Sequence, residues 1–171
     1  MKVRIPIILL MTFLSVWLIP GAQANETLLE DVDSFYPRLI RLQASGAANG
    51  RLIASFDVIG AGRIYQSTDD GVSWTNIATI DETQFAHTCC SELYEVPQQL
   101  GGTAAGTLFW AVSTHNGPAP ASRAIKIYKS TDQGYTWSYL STPVTGNTGL
   151  WEAEFAIDPS GRLVMYYASE E

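Results

Sequence analysis

The sequence predicts an all-β protein built as part of a β-propeller, and three observations carry that prediction. The stretch Ile64-Tyr65-Gln66-Ser67-Thr68-Asp69-Asp70-Gly71-Val72-Ser73-Trp74 recurs 63 residues later as Ile127-Tyr128-Lys129-Ser130-Thr131-Asp132-Gln133-Gly134-Tyr135-Thr136-Trp137, with seven of eleven positions identical. Short apolar runs opened by glycine recur at Gly50, Gly106 and Gly161, spaced 56 and 55 residues apart. No segment shows a convincing helical period. Self-similarity at such a period marks an array of one repeated supersecondary unit rather than a single irregular core.

The first 24 residues are expected to be a signal peptide. Lys2 and Arg4 precede an almost unbroken apolar run from Ile5 to Ile19, Pro20-Gly21 break it, and Ala22-Gln23-Ala24 is a small-x-small cleavage site. The run is too short to span a bilayer comfortably. The mature chain, residues 25–171, is therefore expected to be secreted, extracellular or periplasmic, with no membrane association after cleavage. Residues 1–24 hold two cations and no acid, so their loss moves the formal charge from −7 to −9. Such an acidic surface repels phosphates and excludes nucleic acid and anionic membranes as partners. It leaves neutral sugars open.

Each unit reads as strand, turn, strand, loop, strand, turn, strand. Pro37–Leu42, Ser91–Val96 and Ala153–Asp158 open the three units. The glycine-led runs Gly50–Phe56, Gly106–Val112 and Gly161–Tyr167 follow as buried strands. The third strand ends in Ile-Tyr-x-Ser and the tryptophan opens the fourth. Four antiparallel strands per unit of 55–63 residues is the pattern of a propeller blade. The blades are expected at about 35–80, 90–142 and 151–171, the last incomplete. A six-bladed ring at this period needs roughly 350 residues, so the chain is expected to be an N-terminal portion of a longer protein.

The repeated motif has a mechanical reading. Asp69 and Asp132 are suited to accept backbone N–H bonds across a tight turn, with Gly71 and Gly134 supplying the positive φ. Trp74 and Trp137 are then placed to pin the turn to the blade. A calcium loop does not fit, because Gln133 replaces Asp70 in the second copy and too few oxygen ligands follow. Ser67, Asp69, Gly71, Trp74, Ser130, Asp132, Gly134 and Trp137 are therefore read as structural, and no metal or other cofactor is expected.

These two stretches resemble Asp-boxes, the bacterial-neuraminidase repeats of the sialidase superfamily, over essentially the whole mature chain. The resemblance implies a β-propeller of the six-bladed sialidase type, of which about two and a half blades are present. Fold and activity are separate matters, since enzymes, lectins and sorting receptors share such boxes. Gly149-Leu150-Trp151-Glu152-Ala153-Glu154-Phe155 resembles the secreted exo-arabinanase branch, whose mechanism uses two glutamates; Ala153 stands where that family has proline. Tyr36-Pro37-Arg38-Leu39 is similar to the region carrying the first substrate-binding arginine of sialidases, in a different residue order.

Innermost strands line a propeller's channel, and the repeat phase puts Arg38, Glu92 and Glu154 in equivalent positions. One reading is a solvated channel mouth. The other is a carbohydrate site, with Arg38 gripping a hydroxyl-rich or anionic group and the carboxylates doing acid–base or nucleophilic work. The positional match to the arabinanase segment is Glu152, whereas phase points to Glu154, and alternation puts both on one face. Asp57, after Ser55-Phe56, is either a first-blade loop acid touching substrate or a turn-capping residue. The arginine triad, nucleophilic tyrosine and second carboxyl implied by the resemblance are expected beyond residue 171.

Cys89-Cys90 form no disulfide framework. A ring disulfide between neighbours, two buried thiols, and pairing outside this chain remain three alternatives, and His87 adds no zinc-ligand spacing. His115–Pro120 reads as a loop that shapes a ligand site or merely connects strands, Trp110 as core, and Trp151 as a ring able to stack on a sugar. The function expected is a secreted, exo-acting glycoside hydrolase of sialidase or exo-arabinanase type, incomplete as given. The alternative is a carbohydrate-binding or structural propeller without turnover.

Overall fold

The computed structural model describes residues 26–85, 87–116 and 122–171; the signal-peptide reading and Gly117–Pro120 lie outside them. Among the described residues ten strands form two four-stranded antiparallel meanders and one two-stranded antiparallel pair. β1 (Phe35–Arg41), β2 (Leu52–Val58), β3 (Ala61–Ser67) and β4 (Thr75–Asp81) pair in sequence order as blade 1. β5 (His87–Glu95), β6 (Leu108–His115), β7 (Arg123–Ser130) and β8 (Ser138–Gly146) repeat the plan as blade 2. β9 (Leu150–Ile157) and β10 (Leu163–Ser169) are the first two strands of a third. The fold is a partial β-propeller. Blade 2 runs a few residues beyond the sequence expectation at both ends, since His87 and Gly146 still pair, with His115 and Arg123. A single turn of 3-10 helix at Gly46–Ala48 is the only helical element among the described residues.

β2 is buried along its whole length, because both faces of blade 1 are covered. Ile53, on one face, joins Leu42, Ile64, Ile80, Leu93, Leu108, Trp110 and Val112 in a cluster between blades 1 and 2. Ala54, Phe56 and Val58, on the other, pack with Tyr65 beneath Leu29 and Trp74. A second inter-blade cluster places Phe109, Ala111, Ile125 and Ile127 against Leu150, Ala153 and Phe155 of the third blade. At Gly62 of blade 1 the Trp110 ring of blade 2 occupies the space a β-carbon would need.

The Asp-box turns form as their residue types dictate. Asp69 accepts from Ser73 N (2.9 Å), Ser73 Oγ (2.6 Å) and Ser67 Oγ (2.7 Å), while Gly71 N donates back to Ser67 Oγ (2.8 Å). Asp132 does the same with Thr136 N, Thr136 Oγ1 and Ser130 Oγ. Two consecutive residues are left-handed in each turn: Asp70 and Gly71 (φ 56° and 89°), then Gln133 and Gly134 (φ 62° and 98°). Trp74 and Trp137 close the turns by donating Nε1–H to the Gly71 and Gly134 carbonyls, at 3.1 and 2.9 Å.

A second repeated device lies outside the motif. The carboxylate of Glu30, ahead of blade 1, receives Arg63 Nε (3.1 Å) and Tyr65 Oη (3.2 Å) from β3. Glu82, ahead of blade 2 and fully buried, receives Lys126 Nζ (2.9 Å) and Tyr128 Oη from β7. The cation and the tyrosine stand two residues apart on one face of the third strand in both blades.

Gly62→Ala is expected to destabilise the chain by about 1–3 kcal/mol, the usual range for overpacking a filled core, and to shift Trp110 emission. Gly102→Ala, whose β-carbon meets nothing within 4 Å, should leave thermal unfolding unchanged. Equal melting temperatures for the two variants would count against the packing described.

Candidate functional site

Each first strand carries one extra residue. Register jumps from Phe35↔Asp57 to Arg38↔Ser55 in blade 1, and from Cys89↔Ser113 to Glu92↔Ala111 in blade 2. In the third blade it jumps from Trp151↔Ala168 to Glu154↔Tyr166. Two residues on the inner strand thus oppose one on its neighbour, Tyr36 and Pro37 against Phe56 in blade 1. Within each bulge one non-glycine residue adopts the left-handed conformation: Tyr36 (φ 48°), Cys90 (φ 64°) and Glu152 (φ 53°). Bulges re-aim side chains, and left-handed non-glycine residues cost roughly 1–3 kcal/mol unless the surroundings hold them.

Two residues beyond each left-handed position stand Arg38, Glu92 and Glu154, on strands that lie side by side, β1 against β5 and β5 against β9. Arg38 Nε donates to Ser91 O at 2.9 Å and lies 3.1 Å from Glu92 Oε2. Burial pushes the Glu92 carboxyl up to about 7, the negative charge of Glu154 adds to the rise, and Arg38 opposes both. The cluster therefore unites a guanidinium, a carboxyl poised to hold its proton near neutrality, and a second acid.

Asp57 sits beneath this cluster rather than in a loop or capping a turn. It lies inside β2, is wholly buried, and accepts the Ser91 N–H on Oδ2 at 3.0 Å. Burial raises it to about 6, with the Ser91 hydrogen bonds and Arg38 pulling the other way. Its place in the strand rather than at its end makes it a support for Ser91 and hence for Arg38. Its Oδ1 and the Ser55 hydroxyl have no partner among the described residues.

Glu152 and Glu154 do not share one face, because the bulge between Trp151 and Glu154 interrupts the alternation. Glu154 belongs with Arg38 and Glu92. Glu152 belongs with the other two bulge residues, and with Tyr36, Cys89, Cys90, Trp151 and Ala168 it lines a pocket of about 400 Å³. Cys89 and Cys90 form a disulfide between neighbours, which selects the first of the three alternatives. Trp151 Nε1 donates to Glu170 Oε1 at 3.1 Å, and the His115 ring meets Trp151 edge-on at 6.0 Å. His87 stacks on His115 at 4.7 Å. Trp110 is core, fully buried. Among the described residues no group of three or more His, Cys, Asp or Glu is arranged to hold a metal ion.

Tyr36 and the tyrosine–cation clasps escaped the sequence reading. The repeat phase that aligned Arg38 with Glu92 and Glu154 would have found Tyr36, Cys90 and Glu152 by stepping back two positions in each copy.

Comparison with solved structures finds the same architecture. The GH93 α-L-arabinofuranosidase of Fusarium graminearum, solved with arabinobiose, superposes with a TM-score of 0.67 at 24% identity. The α-L-arabinanase of Penicillium chrysogenum, complexed with arabinobiose, gives 0.68 at 27% identity. This chain shares their fold. The match covers 80% of this chain and 41% of each of theirs. No protein-family model matches the sequence, and no curated protein sequence does.

Asp57 and Glu92 bind a proton more tightly folded than unfolded, against ordinary values of 3.8 and 4.5. Between about pH 4 and pH 7 the folded chain holds the extra proton, so stability falls as pH rises through that window, by up to about 1.4 kcal/mol per pH unit for each group. Asp69 and Asp158, held down at about 2 by hydrogen bonds from Ser73 and Ser160, act in the opposite sense and lose their contribution as pH falls below 4. Melting temperatures followed by circular dichroism should peak near pH 4–5. Asp57→Asn should flatten the decline toward pH 7.5, and an unchanged slope would contradict the burial of this carboxyl as its cause.

Proposed function

We propose that this chain forms the sugar-binding portion of an exported, exo-acting glycoside hydrolase directed at arabinose-containing chains. The observation that carries the reading is the meeting of Arg38, Glu92 and Glu154 at the inner strands of three adjacent blades. Charged groups gathered at such a place are costly to desolvate, and a ligand rich in hydroxyls offers them further hydrogen bonds. The two solved arabinan-active proteins of the same fold, each with arabinobiose bound, support the sugar class. Export is supported by the Lys2–Ala24 leader pattern and by a disulfide, which persists in oxidising compartments.

In this reading Arg38 binds ring hydroxyls through the guanidinium nitrogens not committed to Ser91 O. Glu92, protonated near neutrality, donates to the glycosidic oxygen as its bond to the anomeric carbon breaks, and a water molecule adds to that carbon and returns a proton to Glu92. Glu154 is the carboxylate that stabilises the positive charge developing on the sugar. Asp57 holds Ser91, and Ser91 O fixes the Arg38 fork. A binding propeller without turnover is favoured by one observation: Arg38 and Glu92 already neutralise each other within the cluster.

Arabinobiose and a broad glycan panel offered to the full chain distinguish the two. The hydrolase reading expects sugar release that Glu92→Gln and Glu154→Gln each lower by about 10²–10⁴-fold, and binding that Arg38→Ala weakens. Binding without release that survives both glutamine variants would establish the non-catalytic propeller. No binding to any glycan by a folded chain would overturn both.

A further inference from the structure

The three inner-strand bulges build one surface, and its chemistry differs from that of the charged cluster beside it. Each bulge contributes the residue at its left-handed position, Tyr36, Cys90 or Glu152, and the second and third also contribute the residue before it, Cys89 and Trp151. The pocket wall is therefore two aromatic rings, a disulfide and one carboxylate. Cys90 is buried, Tyr36 is 37% exposed, and Cys89 and Trp151 are partly exposed. The disulfide offers no strong hydrogen-bond donor or acceptor. With both sulfurs joined across adjacent residues it presents a compact apolar plate.

We propose that Tyr36, the Cys89–Cys90 disulfide and Trp151 form a stacking subsite for a neutral sugar ring, next to the Arg38–Glu92–Glu154 cluster, with Glu152 receiving hydroxyls at its edge. A sugar ring has an apolar C–H face and a polar rim, and sites that bind one combine flat apolar surface with a few placed polar groups. The pocket has that division. Its volume, about 400 Å³, lies within the range of small-ligand sites. Continuity with the charged cluster is direct: the Arg38 guanidinium lies 5.9 Å from the centroid of the Tyr36 ring. Trp151 is fixed on its far side by Glu170 Oε1 and by the edge of His115, so its ring does not need to be ordered by the ligand.

The arrangement also accounts for three strained residues in one place. Left-handed tyrosine, cysteine and glutamate are uncommon singly. Here they occur at the same position of three blades and converge on one pocket, as expected where backbone strain aims side chains at a ligand.

The inference rests on the carbohydrate reading above, and the test separates the two. Arabinobiose is titrated calorimetrically into the full chain and into Trp151→Leu and the double variant Cys89→Ala/Cys90→Ala, each checked for native circular dichroism. Both variants are expected to bind about tenfold more weakly. Should the double cysteine variant not fold, Trp151→Leu alone decides. Wild-type binding with either folded variant within twofold of it would overturn the subsite and leave the carbohydrate reading standing. Absence of binding by the wild-type chain would overturn both.

Discussion

The seating of Trp110 in the gap left by Gly62 is the constraint on which the rest of this structure depends. It brings β6 of the second blade against β3 of the first with no room for a side chain between them, and the apolar cluster from Leu42 to Val112 closes around it. That closeness sets the spacing of the inner strands. Across the same boundary Arg38, from blade 1, reaches both the Ser91 carbonyl and the Glu92 carboxylate of blade 2. Placed there, Arg38 opposes the rise in proton affinity that burial and the Glu154 charge impose on Glu92. Glu95 adds a polar tie across the same boundary, accepting from Gln43 N, Ala44 N and Ser45 Oγ of the loop between β1 and β2.

Much of the blade plan was legible because it rests on local chemistry. Ser67, Asp69, Gly71 and Trp74 satisfy one another within eight residues, so spacing alone reveals the turn. Glycine-led apolar runs mark second strands for the same reason. The repeat phase was enough to bring Arg38, Glu92 and Glu154 into one comparison. The bulges were not legible, since an extra residue in a strand leaves no mark in composition and reverses the face on which later residues fall. Glu152 was misread on that account. The place of Asp57 was not legible because its hydrogen-bond partner is Ser91, 34 positions along the chain. Strict alternation, applied across a bulged strand, misplaces side chains where ligand sites tend to be.

The two halves of the site use opposite physics. Around Arg38 the chain keeps charges partly desolvated and close, which moves proton affinities and readies groups for exchange. Around Cys89-Cys90 and Trp151 it keeps polar atoms satisfied elsewhere and offers flat apolar surface. Both halves arise from one structural event, the bulge, which sends successive residues of the same strand to different tasks. Scaffold and site are accordingly hard to vary independently: a change that straightened an inner strand would disturb both halves at once.

The buried clasp of Glu82 with Lys126 and Tyr128 bears on how a chain of similar blades avoids assembling wrongly. Blades alike in sequence invite mispairing, a characteristic failure of repeat proteins. A seating error between blades 1 and 2 would leave the Glu82 carboxylate in the interior without its cation, at a cost of several kcal/mol. The correct neighbour satisfies it fully. The clasp at Glu30 uses arginine and stays partly exposed, whereas that at Glu82 uses lysine and is sealed. Of the two, only the Glu82 clasp lies at the boundary between blades 1 and 2, so it alone acts there as a key that a wrong neighbour does not turn.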